Sequence, residues 1–174
     1  MTSTFGTTIK VSIFGESHAP KIGCTIDGLP AGFTVDLAAL KTFLQKRSPS
    51  HPWDTPRKET DNPQFISGIS AEGILDGSPL TAELPNTNVR PQDYAATKLI
   101  PRPGHADFSA WSKWGDSYEQ TGGGHFSARL TAPLCIAGGI ALQILRAQGI
   151  TIAAHVLKIK DVSDTPLELV DNSL

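Results

Sequence analysis

A serine followed by a histidine, Ser17 and His18, lies in a short polar loop over residues 15–20. Imidazole can accept or donate a proton near neutral pH, and a neighbouring hydroxyl could act as a nucleophile or a hydrogen-bond donor. Adjacency in sequence does not by itself provide the geometry of a catalytic pair. Two interpretations therefore remain open for this dipeptide: proton transfer, or structural hydrogen bonds within the loop.

A second histidine, His105, has Arg102 three residues before it and Asp107 two residues after it. Arginine offers a permanently charged, forked donor that suits phosphate or carboxylate, whereas histidine can donate a proton. His105 and Asp107 could also supply two ligands to zinc, but no third ligand stands at a matching spacing. The pattern therefore favours an anion-binding, proton-transferring loop over a metal site.

Three consecutive glycines, residues 122–124, precede His125, Phe126 and Ser127 at the start of a predicted helix. Glycine lets the backbone approach an anion or a planar ring, and a helix N-terminus offers free N–H groups. The run lacks the lysine of a P-loop and the spacing of a dinucleotide-binding fingerprint, so neither kind of nucleotide site is supported. A binding site and a tight turn packed on Phe126 both explain this segment.

Basic residues concentrate around a proline-rich segment, residues 47–63, which has no periodicity and is predicted to be a long loop. Long loops in compact domains are usually functional or disordered. These side chains could form a solvated surface, or they could join arginines elsewhere in a cationic pocket for a multiply charged anion. The residues concerned are Lys46, Arg47, His51, Arg57, Lys58, Arg102 and Arg129. All these features together predict a site for one anionic small molecule, with phosphate among the groups it could carry.

The hydrophobic pattern predicts the elements that position these loops. Alternation and β-branched residues indicate five strands, of which we expect the first two to pair. The predicted strands cover residues 8–14, 23–27, 64–69, 79–84 and 150–159. Apolar stripes at helical spacing predict helices near residues 34–46 and 127–148, the second ending at Gly149.

Composition limits the classes of function. The chain has 174 residues, 39% of them hydrophobic, with 15 basic and 17 acidic side chains. This size and hydrophobic fraction suit one domain with a buried core, and the near balance of charge argues against a nucleic-acid partner. The last fourteen residues contain four acids and no lysine or arginine, which leaves a mildly basic body.

The cysteines and the N-terminus bear on location. Cys24 and Cys135 are far apart, so the sequence predicts neither a disulfide framework nor a zinc ribbon, and a reduced, cytoplasmic setting is expected. The first residues lack the pattern of a signal peptide, and no stretch approaches the ~20 apolar residues of a membrane span. We therefore expect no membrane association.

Several of these segments, in this order, resemble the chorismate synthase family. The matching segments are Phe14-Gly15-Glu16-Ser17-His18, Gly23-Cys24, Asp27-Gly28-Leu29-Pro30-Ala31-Gly32, Lys46-Arg47 before Pro49, Asn86-Thr87 before Asp93-Tyr94, Arg102-Pro103-Gly104-His105-Ala106-Asp107, and residues 122–124 leading into Ser127-Ala128-Arg129. Ala19 departs from the family's usual glycine, and Leu130 stands where many members carry glutamate. Neither departure falls on a residue to which the resemblance assigns a role.

The resemblance implies an anti-1,4 elimination of phosphate and a proton from 5-enolpyruvylshikimate 3-phosphate, which gives chorismate in the shikimate pathway toward aromatic amino acids. The family requires reduced FMN although no net redox change occurs. His18 would act near the leaving phosphate, and His105 would protonate or stabilise the reduced flavin. The substrate-binding residues implied are Ser17, Arg47, Arg102, Ser127 and Arg129, and the cofactor-binding residues are Arg47, His125, Phe126 and Ser127. The region around Arg47 is linked more loosely to NADPH.

The resemblance also implies the architecture. The family fold is α+β, a β-α-β sandwich in which helices pack between two antiparallel sheets, and the assembly is a homotetramer. Family members are about twice as long as this chain, and their second half adds flavin contacts and an acidic residue linked to proton removal. We therefore expect residues 1–160 to be the N-terminal half of the domain and residues 161–174 to be an acidic tail or a connection. Two alternatives stay open: a non-catalytic anion- or flavin-binding portion, and a metal hydrolase using His18, His105 and Asp107.

Overall fold

The structure is a computed structural model that describes residues 3–49, 51–52, 54, 59–89, 92, 100–118 and 122–166. Its strands are β1 (Thr4–Phe5), β2 (Lys10–Gly15), β3 (Lys21–Asp27), β4 (Gln64–Ser67), β5 (Leu80–Pro85), β6 (Lys158–Ile159) and β7 (Val162–Ser163). Its helices are α1 (Leu37–Gln45), α2 (Asp107–Trp114) and α3 (Thr131–Ala147). Short 3₁₀ turns at Gly115–Ser117, Gly124–Phe126 and Ala128–Leu130 connect α2 to α3.

A five-stranded antiparallel sheet in the order β1-β2-β3-β5-β4 forms the base of the fold. Strand β2 pairs with β3 along its whole length, so the expected pairing of the first two predicted strands is confirmed. Every second side chain of β3 and β5 points into the core, as alternation requires. The buried cross-strand pairs are Ile22–Leu84, Cys24–Ala82 and Ile26–Leu80.

Helices α1 and α3 contact each other, and α3 lies against the buried sheet residues. Asp36 caps α1 by accepting a hydrogen bond from Ala39 N at 2.8 Å. The Gln143 side chain of α3 bonds the backbone N and O of Asp36, at 2.8 and 3.0 Å. A Cβ on Gly139 would stand 2.6 Å from Leu40 Cδ1, so this glycine sets the close approach of the two helices. The helices thus cover one face of the sheet and leave its loop ends free to form a site.

The α+β class and most of the predicted elements are confirmed. Helix α3 begins at Thr131 and not near residue 127, because residues 128–130 form a 3₁₀ turn that the Ser127 side chain caps. Gly149 has a φ of +75° just beyond the helix, as the predicted C-terminal glycine requires.

One expectation about elements is wrong, and one helix was not predicted. The predicted strand over residues 150–159 is reduced to β6, which pairs only with β7, and residues 151–157 have no regular structure. Alternating apolar residues favour a strand, but a strand also needs a partner, and this segment remains exposed. Helix α2 was not predicted, because its eight residues show little apolar periodicity; burial of Asp107 and Ala110 holds it in place.

Residues 128–147 are long and apolar enough, by length and composition alone, to cross a membrane. This corrects the expectation that no stretch approaches such a composition. Core helices of globular proteins satisfy the same criterion, and six residues of α3 are buried within this fold.

Candidate active site

The opening loop and the glycine turn, distant in sequence, lie against each other. Ser17 is buried, and its backbone N donates to the Gly124 carbonyl at 3.0 Å. Gly122 has a φ of +63°, and a Cβ on it would stand 2.6 Å from His18 Nε2. Both the backbone conformation and the approach of the His18 ring therefore require glycine at this position.

A forked ion pair joins the loop before α2 to the same turn. Arg102 donates through Nε and Nη2 to the two carboxylate oxygens of Asp107, at 2.7 and 2.9 Å. Its Nη2 also donates to the Gly122 carbonyl at 2.8 Å. Hydrogen bonding from Arg102 lowers the pKa of Asp107 to about 2, so this carboxylate is charged at neutral pH.

His105 completes this group. Its Nδ1 lies 2.5 Å from Asp107 Oδ1 and 3.3 Å from Arg102 Nη2. Because a charged carboxylate only accepts hydrogen bonds, Nδ1 carries a proton and Nε2 is left as the nitrogen that can take up or release one. We call Ser17, His18, Arg102, His105 and Asp107 the histidine cluster.

A second group of charged side chains surrounds a pocket of about 230 Å³. The lining residues are Arg47, Ser48, Pro49, Glu59, Asp61, Ser127, Ala128 and Arg129, which we call the arginine pocket. The buried carboxylate of Asp61 accepts from Arg47 Nη1 on one oxygen and from Arg129 Nη1 on the other. Asp61 therefore holds both guanidinium groups at the pocket wall.

The two guanidinium groups keep unused donors. Among the residues that the structure describes, Arg47 Nε and Arg129 Nη2 are buried without a hydrogen-bond partner. An unsatisfied buried donor on a charged group is costly, so such donors are usually completed by water or a ligand. Forked, charged donors of this kind suit a phosphate or a carboxylate.

Among the described residues, the arginine pocket combines two arginines of the predicted cationic pocket with acidic side chains. Asp61 and Glu59 place two acids beside the two arginines, and the Glu59 carboxylate accepts from backbone N–H groups of residues 87 and 88 at 3.0 and 3.1 Å. Arg57 and Lys58 lie outside the described residues. Sequence reasoning missed Asp61, for which the available signal was an acid at the end of a basic loop.

Asn86 lies between the histidine cluster and the arginine pocket. Its Nδ2 donates to the Ala19 carbonyl at 2.7 Å, and its Oδ1 accepts from Arg129 Nε at 3.0 Å. One side chain therefore touches the loop that carries His18 and a wall of the pocket.

The residues after the glycines divide between structural contacts and the pocket. His125 bonds the Gly15 carbonyl through Nδ1 at 2.9 Å and the Ser3 hydroxyl through Nε2. Ser127 lines the arginine pocket, and its Oγ accepts from Arg129 N at 3.2 Å. His125 therefore ties the turn to the residue before β1 and to the end of β2, while Ser127 faces the pocket.

Phe126 packs on two aromatic rings at the end of α2. Its ring centroid lies 6.0 Å from those of Trp114 and Tyr118, and 39% of the residue remains exposed. The Tyr118 hydroxyl is buried and has no partner among the described residues. Burial raises the pKa of Tyr118 and the charge of Asp107 adds to this, so the hydroxyl keeps its proton at neutral pH. Tyr118, whose hydroxyl is within electrostatic reach of Asp107 and Arg102, is a further polar group that the sequence did not predict.

The described residues contain no group of three or more His, Cys, Asp or Glu side chains that could hold a metal ion. His105 and Asp107 instead contact each other and Arg102. Cys24 and Cys135 are both free thiols.

The structure therefore brings nearly all the predicted site residues into two adjoining groups. Ser17, His18 and Arg102 contact Gly122, and His105 joins them through Asp107 and Arg102. Arg47, Ser127 and Arg129 line the pocket. Lys46 and His51 do not line it. A proton-transferring centre beside an anion-binding pocket can assist the departure of a charged group from a small molecule.

The chain is similar to known proteins along nearly its whole length. The sequence model of the family described as "Chorismate synthase" matches residues 9–174. A chorismate synthase of Lancefieldella parvula is 85% identical over the whole chain, which covers 46% of that relative. One of Aeropyrum pernix is 38% identical over 159 residues, 91% of this chain and 42% of the relative.

A solved structure, "Crystal Structure of Chorismate Synthase", matches 82% of this chain and 35% of its own chain with a TM-score of 0.57. At 18% identity this match shows the fold. The chain spans about half the length of the curated relatives it matches. On the family match over residues 9–174, the chain belongs to the chorismate synthase family.

Proposed function

We propose that this chain forms the N-terminal half of a chorismate synthase catalytic unit. The reaction removes phosphate and a proton from 5-enolpyruvylshikimate 3-phosphate to give chorismate. The observation that carries the proposal is that Asn86 joins two groups: the histidine cluster beside Gly122, and the arginine pocket with its two buried donors that have no partner among the described residues. An elimination of phosphate needs both an anion site and a proton-transferring group.

The arginine pocket binds the anionic groups of the substrate. Arg47 Nε and Arg129 Nη2 are the buried donors without a partner among the described residues, and Ser127 lies on the same wall. Asp61 keeps the two guanidinium groups in place, which lowers the conformational entropy lost when an anion binds. Arg102, fixed by Asp107, supplies a further cation at the edge of the histidine cluster.

The two histidines move or hold protons. His105 keeps Nδ1 toward the charged Asp107, so that Nε2 serves as the proton-exchanging atom that acts on the flavin. His18 lies against Gly122 and acts on the leaving phosphate, with the buried Ser17 beside it as a hydrogen-bond donor. The contact of Nδ1 with Asp107 favours one orientation of the His105 ring.

The cofactor is reduced FMN, which when bound supplies transient electron donation that helps phosphate to leave. The residues present fit this group, because the Phe126 ring is partly exposed and would pack against a planar flavin ring. His125 uses both ring nitrogens within the chain, so its contribution is to hold the turn that carries Phe126. NADPH as the reductant, near Arg47, rests on the family resemblance alone.

The same resemblance supports a cytoplasmic homotetramer with residues 161–174 leading into the rest of the domain. Exposed apolar side chains after α3, among them Val156, Leu157, Ile159 and Val162, are consistent with a further contact surface in that region.

A non-catalytic anion- or flavin-binding portion is the second candidate, because the chain covers less than half of its curated relatives. Anaerobic assays with reduced FMN and substrate, followed by chorismate absorbance, separate the two. We expect product when the chain is mixed with the remaining C-terminal portion of the Lancefieldella parvula relative, and less product when the chain carries His105→Ala. Binding of FMN without product in the complemented mixture would favour the non-catalytic candidate.

A further inference from the structure

We propose that Asn86 is a positioning residue that couples the arginine pocket to the loop carrying Ser17 and His18. Through Asn86, binding of an anion beside Arg129 fixes the position of His18. This inference rests on the proposed function in one respect, that the pocket takes an anion. Asn86 belongs to a motif shared with the family, but the resemblance assigns it no role in binding or catalysis.

The donor side of Asn86 holds the opening loop. Its Nδ2 donates to the Ala19 carbonyl at 2.7 Å and to the Glu16 carbonyl at 3.2 Å. These carbonyls lie on either side of Ser17 and His18, so a single amide group closes the loop around them. Such a closure restricts the backbone that carries the His18 ring.

The acceptor side of Asn86 holds Arg129. Its Oδ1 accepts from Arg129 Nε at 3.0 Å, while Arg129 Nη1 donates to Asp61. The guanidinium group is therefore fixed on two sides, and Nη2 is the donor left without a partner among the described residues. The Arg129 side chain is only 5% exposed, so water cannot readily replace either partner.

The backbone of Asn86 is itself firmly placed. Asn86 follows β5 directly, and its backbone N donates to the Pro20 carbonyl at 2.9 Å, one step beyond the pairing of Lys21 with Pro85. The amide thus projects from the end of the central strand pair. A displacement of Arg129 is transmitted to the loop through this short, anchored side chain.

The positioning role of residue 86 requires an amide side chain. One end must donate to carbonyls while the other accepts from a guanidinium group, and asparagine offers both at this length. Aspartate would keep the acceptor for Arg129 but would place a second acceptor against the carbonyls of Ala19 and Glu16. Serine is too short to contact both the loop carbonyls and Arg129, and it adds no charge.

The test uses NMR of the 174-residue chain with inorganic phosphate as the probe. The side-chain signals of Arg129 and His18 are assigned by substitution and followed during a phosphate titration and, without phosphate, during a pH titration. In the unsubstituted chain we expect both signals to move with one midpoint. In Asn86→Asp and Asn86→Ser we expect phosphate affinity to fall about 3- to 10-fold, the range for the loss of one hydrogen bond. We also expect the phosphate-induced shift of the His18 signal to become at least several-fold smaller than that of the Arg129 signal.

Thr81→Val is the matched control, since it removes one side-chain hydrogen bond, to Thr25 Oγ1 at 3.2 Å, from the strand that leads to Asn86. We expect both signals to keep their common midpoint in this variant. A full His18 response in Asn86→Ser would overturn the positioning role even if the affinity had fallen. If phosphate moves neither signal in the unsubstituted chain, the anion pocket of the proposed function fails and the coupling through Asn86 fails with it. A changed His18 pH titration in Asn86→Ser would then show only that Asn86 holds the loop.

Discussion

Replacing Asp61 with asparagine tests the electrostatic core of the site most directly. The Asp61 side chain is 2% exposed and receives hydrogen bonds from Arg47 and Arg129. Asparagine has nearly the same shape but carries no charge. The substitution therefore leaves two guanidinium groups facing a neutral amide in a region that water reaches poorly.

The expected loss of stability follows from the burial of the two arginines. Removing one partner of a buried ion pair costs about 3–5 kcal/mol, because the remaining charge is desolvated and uncompensated. The Arg129 side chain is 5% exposed and bears this cost almost fully, whereas Arg47 is 24% exposed and can recover some hydration. We expect Asp61→Asn to lose about 3–4 kcal/mol, a large part of the roughly 5–15 kcal/mol that stabilises a typical domain.

Urea unfolding followed by circular dichroism measures this loss. Glu83→Gln is the matched control, because it removes the same charge from an exposed pair, Lys21–Glu83 at 2.7 Å, and should cost only about 0–1 kcal/mol. The double variant Asp61→Asn, Arg129→Met should be more stable than Asp61→Asn alone, since it also removes the buried charge of Arg129 that has lost its partner. Equal stabilities for Asp61→Asn and Glu83→Gln, with unchanged denaturant dependence, would refute the reasoning.

Three further expectations concern the histidine cluster. In the complemented enzyme, His105→Ala should lower kcat far more than it raises KM, because its role is proton chemistry; equal effects on both constants would contradict that role. Arg102→Ala should raise the pKa of Asp107 from about 2 toward its ordinary 3.8, measured by carbon NMR of the carboxyl group. The pKa of Asp107 is lower in the folded chain than in the unfolded chain. This carboxylate therefore contributes stability above pH 4 that is lost as the pH falls toward 2. Acid unfolding of Arg102→Ala should consequently depend less on pH between these two values. Gly122→Ala should destabilise the fold by at least about 1 kcal/mol and shift the His18 signals, because its φ is +63° and its new methyl group would overlap the ring. Unchanged His18 spectra in this variant would mean that the ring does not contact Gly122.

The sequence by itself determined the local elements and the chemistry of the motifs. Strands β2 to β5 and helices α1 and α3 follow from apolar spacing, because alternation and the helical stripe are local consequences of burial on one face. The family was also predictable, since several motifs occur in the family's order, and the match over residues 9–174 confirms it. The predicted strand over residues 150–159 failed because local alternation does not provide a pairing partner.

Only the tertiary structure decided how the motifs act together. Gly122 meets His18, Asp61 joins Arg47 to Arg129, and Asn86 links the two groups, although these residues are separated by long stretches of chain. Charge balance is a property of that arrangement: the sequence predicts a cationic pocket from its arginines, and the fold places Asp61 and Glu59 among them. Sequence patterns report which face of an element is buried, whereas the donors left unsatisfied at a site depend on contacts that form only when distant segments meet.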